Sequence, residues 1–143
     1  MADKPVVVFG DVVLRTKNLG QEDVYTVDED IVLIYDGWRI TVKKGYKTDG
    51  ASIPRLVWDN IGHPFYTKFI TAAIFHDILY ETEVMPIQWT DDMFGDILEA
   101  SGVPEWKEWI MEHAVEWFGD STWEKHTEAQ ITQAKQYLVI ERL

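Results

Sequence analysis

A helix with no polar side has to be enclosed on every side, and residues 67–81 predict one. Phe69, Ile70, Ala72, Ala73, Ile74, Phe75, Ile78 and Leu79 crowd this stretch. They leave no continuous polar stripe to face water, which makes the helix central to whatever surrounds it. At roughly fifteen residues it is too short to cross a bilayer. His76 and Asp77 lie inside it, and such groups are expensive to bury unless they are paired or in use. The rest of the chain must therefore cover this helix and supply those two side chains with partners.

The chain ahead of it reads with a period of two. Val6-Val7-Val8-Phe9 and Val12-Val13-Leu14 are short β-branched runs separated by Gly10-Asp11. Ile31-Val32-Leu33-Ile34-Tyr35, Asp36-Gly37 and Trp38-Arg39-Ile40-Thr41-Val42 form the clearest hairpin. Asp-Gly between two apolar runs suits a two-residue type I′ turn, whose central residues both need positive φ. Arg39 and Thr41 alternate with Trp38, Ile40 and Val42, so one face of that strand is expected to be wet. Val24-Tyr25-Thr26-Val27 adds a further short strand. These residues predict a small antiparallel sheet, with Gly45 and Gly50 marking the exit and Pro54 holding Ile53 extended.

Beyond residue 67 the period changes to about 3.6. Thr90 is placed to cap a second helix over about 91–100, ending at Ser101-Gly102. A third starts at Pro104, with Trp106, Trp109, Ile110, His113, Ala114, Trp117 and Phe118 on one stripe. That spacing predicts a core-facing stripe, with His113 a satisfied core histidine and Gly119 at C′. Thr127-Glu128-Ala129-Gln130 is a capping-box pattern opening a last helix over about 127–141. The expectation is one α+β domain over 1–143: strand-rich over 1–47, a loop over 48–66, and about four helices over 67–143.

Composition narrows the partners. The net charge of −12 is uneven, since residues 1–67 contribute −2 and residues 68–143 contribute −10. An acidic helical half repels phosphate backbones, which argues against nucleic-acid binding. A solvated acidic face, a basic protein partner or mimicry of nucleic acid all fit that charge. Cysteine is absent, so any metal would take His, Asp or Glu ligands. Met1-Ala2-Asp3-Lys4-Pro5 has no basic region leading into an apolar stretch, and neither a signal peptide nor a membrane span is expected.

The groups able to do chemistry gather in two places. Lys47-Thr48-Asp49-Gly50-Ala51-Ser52-Ile53-Pro54-Arg55 precedes the central helix, and His76-Asp77-Ile78-Leu79-Tyr80 lies within it. Asp77 is expected to receive hydrogen bonds from Thr48, Ser52 or Arg55, bringing loop and helix together. A divalent metal could be held by Asp49, His76, Asp77 and Asp91 or Asp92, serving hydrolysis by an activated water. Ser52 with His76 and an aspartate could form a nucleophilic triad, although Gly-Ala-Ser-Ile-Pro is not a nucleophile elbow. Asp49 with Asp77 or Asp92 could form an acid–base pair of carboxylates. Against these stands an interlock without catalysis, in which the polar residues specify the fold. His63 and His126 are expected in loops.

Together these residues resemble a family. Thr48 to Arg55, Trp58, His76-Asp77-Ile78-Leu79-Tyr80, Asp92 and Phe94 are similar to the pattern of DUF1353, a family of phage and prophage proteins. Ser101-Gly102-Val103, Ala114-Val115, Phe118-Gly119 and Trp123 continue the likeness, which covers about residues 30–123. Two departures concern charge. Met85-Pro86-Ile87-Gln88-Trp89-Thr90-Asp91 lacks an arginine that the family often carries, and Glu116 stands where a basic residue is common. Arg39 and Arg55 are the available substitutes.

The resemblance implies a protein encoded among late phage genes near tail and lysis functions, and it does not imply an activity. The leading expectation is an accessory protein of the virion or tail, located in the host cytoplasm or in the particle. It would act on a phage or host protein through exposed tryptophans or an acidic face. The alternative is a hydrolase of cell wall or phosphoester with Asp49, Ser52, His76 and Asp77 as its catalytic group. Arg55, Tyr80 and Asp92 would then serve binding. A third expectation is an acidic antagonist of a host defence protein.

Overall fold

The computed structural model describes residues 4–10, 14–16, 25–48, 70–113 and 126–143. Six strands come first: β1 (Val6–Phe9), β2 (Leu14–Thr16), β3 (Tyr25–Val27), β4 (Ile31–Tyr35), β5 (Trp38–Val42) and β6 (Lys47–Thr48). Helices α1 (Ile70–Thr82) and α2 (Ile87–Ala100) follow. Helical backbone over 105–113, here α3, leads toward α4 (Glu128–Lys135), and β7 (Leu138–Arg142) comes last. The class is α+β.

The strands make two antiparallel sheets, one ordered β1-β4-β5-β7 and the other β2-β3-β6. The β4–β5 hairpin turns where expected. Asp36 has φ 50° and Gly37 φ 78°, the pair of positive values that a type I′ turn requires. Ile31, Leu33, Tyr35, Ile40 and Val42 are buried on one face, while Arg39 is exposed.

β7 corrects the expectation of a helix running to 141. The capping box at Thr127 and Gln130 is present, yet α4 stops at Lys135. Leu138-Val139-Ile140 then pairs along β5, setting Ile140 opposite Ile40 and Val139 opposite Thr41. Glu141 meets Arg39 at 3.8 Å, and the Arg142 guanidinium lies 5.0 Å from the Trp38 ring centre. Cross-strand pairing of β-branched and opposite-charge residues outweighs the modest helix propensity of this segment. The helical half therefore ends by completing the sheet of the strand-rich half.

α1 is enclosed as its composition demands: every residue from Ala72 to Tyr80 is buried. It packs against α2, α4 and β6, and one apolar cluster runs from Val27 and Leu33 through Phe75 and Phe94 to Met111. Burial of each large aliphatic or aromatic side chain contributes about 1.5–3 kcal/mol.

α2 begins one turn earlier than expected. Pro86, with φ −57°, is the residue before the first turn and Ile87 opens the helix. Thr90 is inside it, donating its hydroxyl to the Pro86 carbonyl at 3.1 Å instead of capping. Proline is favoured where no intrahelical donor is needed, and a buried threonine satisfies itself on a carbonyl four residues back. The exit is as expected, with Ser101 as C-cap and Gly102 at φ 82°.

α3 reverses the expected orientation. Trp106 and Trp109 are 59% and 55% exposed, and Ile110 is exposed as well. Glu108 and Met111 are the buried positions. The remainder of the tryptophan stripe, from Ala114 to Phe118, lies outside the described residues.

Candidate functional site

Thr48 is the last residue of β6, and Asp77 faces it from the middle of α1. The Thr48 hydroxyl donates to Asp77 Oδ2 with both side chains buried. This is the expected fastening of the start of the loop to the central helix. Thr48 reaches this position because β6 pairs with β3, setting Thr48 opposite Tyr25. Lys47 points the other way and is exposed, as alternation along a strand requires.

His76, the residue before Asp77 on α1, turns toward α2. Its Nε2 lies 2.9 Å from Asp91 Oδ1, and the imidazole is wholly buried. Tyr80, one turn later, donates its hydroxyl to the same Asp91 oxygen at 3.1 Å. The imidazole is flanked by the rings of Tyr80 and Phe94, at 4.2 Å and 4.8 Å between centres. Burial pushes the His76 pKa below the usual histidine range, outweighing the opposite pull of Asp91. The imidazole is therefore neutral, and a carboxylate acceptor fixes its proton on Nε2. Asp91 satisfies two donors on the buried helix, which is the condition for keeping such a group there.

A second carboxylate contact stands where α2 meets the sheet. Tyr35 at the end of β4 donates to Asp96 Oδ2 at 2.5 Å. Burial, then the bond to Asp96, raises the Tyr35 pKa, so the phenol stays protonated. Burial also raises the Asp96 carboxyl, with the Tyr35 bond working against it. Beside this pair the Trp89 indole meets Tyr35 edge-on at 5.3 Å and donates to Asp36 Oδ2 at 2.8 Å. Asp36 is held below the usual carboxylate range first by that Trp89 bond, with Lys4 adding to it. The hairpin turn is thereby tied to α2.

Of the expected site residues, His76, Asp77 and Tyr80 come together within α1, each bound to a partner. Asp92 does not join them: it is exposed and accepts from Gln88 Nε2 at 3.1 Å along its own helix. Asp49, Ser52 and Arg55, with His63, lie outside the described residues. Among the described residues, no group of three or more His, Asp or Glu side chains is placed to hold a metal ion.

His113 is half-buried instead of sealed in the core. It stacks on Trp109 at 4.0 Å and bonds the Trp109 carbonyl through Nδ1 at 2.7 Å. His126 pairs with Glu83 at 3.1 Å. It lines a cleft of about 610 Å³ together with Lys47, Glu81, Gln130, Gln133 and Tyr137. A smaller cleft of about 250 Å³, lined by Glu99, Glu105, Glu108, Trp109 and Glu112, opens along α3.

Asp91, Asp96 and Glu108 carry more of this arrangement than the sequence reading assigned them. A wheel begun at Ile87 would have shown Asp91 on the face of Ile87, Phe94 and Leu98, and Asp92 off it. Starting the helix at Thr90 concealed that relation. Glu108 had no such signal, because the tryptophans beside it are the stronger apolar pattern.

A family model described as a protein of unknown function, DUF1353, matches residues 25–115, more than half of the chain. The chain belongs to that family. The uncharacterized protein y4jT of Sinorhizobium fredii (strain NBRC 101917 / NGR234) is 37% identical over 84 residues, 59% of this chain and 25% of that protein. The uncharacterized protein y4iH of the same strain is 37% identical over 83 residues, 58% of this chain and 34% of that protein. The matched region thus spans a quarter to a third of these relatives' length. No solved structure matches the chain significantly.

Proposed function

We propose that this member of the DUF1353 family is a phage-encoded accessory protein that acts through protein contacts, associated with the virion or tail. The observation that carries the contact role is the outward stripe of α3, where Trp106 and Trp109 are more than half exposed. Large aromatic side chains left in water on one helix face are characteristic of binding surfaces. The phage origin rests on the motif resemblance.

His76, Asp77 and Asp91 fit this reading as positioning groups. The His76 side chain has no exposed surface, and Asp77 and Asp91 are almost fully buried. Their bonds join β6, α1 and α2, which fixes where the following loop leaves the sheet. Among the described residues no helix is long and apolar enough to cross a membrane.

The test is co-purification. Particles from cells producing the chain should contain it by quantitative mass spectrometry. A Trp106→Ser/Trp109→Ser chain should be lost from them without a change in melting temperature. Undiminished incorporation of that double variant would overturn the reading, as would a chain found in neither particles nor a stable complex with a host protein.

A further inference from the structure

We propose that two copies of this chain join edge to edge along β1, with Val7 opposite its own counterpart on a two-fold axis. Val6 of one copy then pairs with Val8 of the other, and the four-stranded sheet continues from copy to copy. This surface is independent of the α3 contact role.

The hydrogen bonding of the sheet shows which groups β1 leaves open. The Gly37 carbonyl accepts from the Leu143 N–H, and the Lys43 N–H donates to the Tyr137 carbonyl, both at 2.8 Å. Residues along an antiparallel strand alternate in the neighbour they bond. Arg39 and Thr41 therefore bond β7, while Trp38, Ile40 and Val42 bond Tyr35, Leu33 and Ile31. Ile34 and Val32 are left to bond Val7 and Phe9. The N–H and C=O groups of Val6 and Val8 turn to the far side of β1, where no described strand lies. Val7, Val8 and Phe9 are 44%, 37% and 56% exposed, and Pro5 and Gly10 on either side are exposed too. Such an edge is a template for another strand.

The edge is complementary to itself. With Val7 opposite Val7, the outward groups of Val6 and Val8 in each copy meet those of Val8 and Val6 in the other, and every one of them is bonded. A slide by two residues would place Val6 against Gly10, at φ 93°, or Val8 against Lys4, which is held by Asp36. On the outer face Val7 meets Val7 and Phe9 meets Pro5, apolar cross-strand pairs of the kind that stabilise sheets. Charge selects the same place. The chain carries −12 and Pro5 to Gly10 carries none, so copies repelled at their acidic helices can approach here. At the opposite edge β7 ends in exposed Glu141 and Arg142, charged residues that guard an edge against pairing, and β1 has no such guard. A four-residue strand buries less than the roughly 1,200–2,000 Å² of stable interfaces, so the dimer forms reversibly with concentration.

The experiment is sedimentation velocity on the full chain from about 0.01 to 0.5 mM, where a reversible monomer–dimer equilibrium is expected. Added sodium chloride should tighten it by screening the repulsion between copies. Val7→Lys sets like charges face to face and should raise the dissociation constant at least about tenfold. Its melting temperature should stay within about 3 °C of wild type, because the residue is exposed. The chain has no cysteine, so Val7→Cys reports the register. Its two thiols meet in a close pair, about 4.5 Å between Cα atoms, and copper-phenanthroline should oxidise them to a disulfide. Lys43→Cys, exposed and away from β1, should not cross-link. A chain still monomeric at about 0.5 mM, a dimer insensitive to Val7→Lys, or equal cross-linking of the two cysteine variants would each overturn the proposal. So would a monomer that instead captures a different protein and loses it in Val7→Lys, which would give the edge to that protein.

Discussion

His76 and Asp91 face each other across the α1–α2 interface, with Nε2 and Oδ1 2.9 Å apart and the imidazole sealed from solvent. Asp91 also receives the Tyr80 hydroxyl, so its removal takes an acceptor from two buried groups at once. Asp91→Ala should therefore lower the free energy of unfolding by about 2–4 kcal/mol, with Asp91→Asn less damaging. Urea denaturation at neutral pH measures both. A loss below roughly 0.5 kcal/mol in Asp91→Ala, the level of an ordinary surface change, would show that the pair does not hold the helices together.

The same pair sets an acid limit. Burial keeps the folded His76 pKa below its unfolded value, so the unfolded chain binds the extra proton first as pH falls. Stability from the neutral imidazole is present above about pH 6.5 and is lost as pH drops below it. His76→Phe should flatten the pH dependence of stability in that window, whatever it does to stability at neutral pH. Chemical denaturation on both sides of that pH checks the slope. An unchanged slope in the variant would assign the acid sensitivity to another group.

Thr48 and Asp77 make a narrower prediction about the loop that follows. Thr48→Val keeps the β-branched shape that β6 favours but removes the donor to Asp77, and should cost about 1–3 kcal/mol. Thr48→Ser keeps the hydroxyl and should lose less. Thermal unfolding of the two variants separates the hydrogen bond from the packing of the methyl group. A larger loss in Thr48→Ser than in Thr48→Val would show that packing, not the bond, holds Thr48 in place.

These contacts also show why some of the molecule was legible and some was not. The β4–β5 hairpin could be read because Asp36-Gly37 and the flanking alternation are local signals. The burial of α1 could be read because no rotation of that helix exposes a polar face. Contact between Thr48 and Asp77 followed from the cost of burying a carboxylate. β7 was hidden, since Val139 and Ile140 become a strand only because β5 offers an unpaired edge nearly a hundred residues away. The outward turn of Trp106 and Trp109 was hidden for another reason. Hydrophobic spacing identifies a stripe, but not whether the stripe meets its own core or another molecule's surface.

Gly95 and Glu112 form a close crossing that a double-mutant cycle can expose. A Cβ on Gly95 would overlap the carboxyl end of the Glu112 side chain, so Gly95→Ala forces that side chain to move. Taken alone, alanine in a helix is favoured over glycine by about 1 kcal/mol. The expected outcome is that Gly95→Ala destabilises the wild-type chain but stabilises a Glu112→Ala background. Equal effects in both backgrounds would mean that Glu112 yields without cost.

Glu108 gives the last prediction, with its own sign. Burial, and then the neighbouring Glu99, raise its carboxyl above the usual range. The folded chain therefore holds this proton more tightly than the unfolded chain, and stability falls as pH rises from the unfolded value through the folded one. At neutral pH the group is a burden on the free protein, so Glu108→Gln should raise the melting temperature there. A gain of about 1 kcal/mol corresponds to roughly 2–4 °C for a chain near this size. Below about pH 4 the native side chain is neutral in both states, and the advantage of glutamine should vanish. Scanning calorimetry of the two proteins across this range decides it. A variant less stable than wild type at neutral pH would show that the Glu108 carboxylate contributes more to the fold than its burial costs.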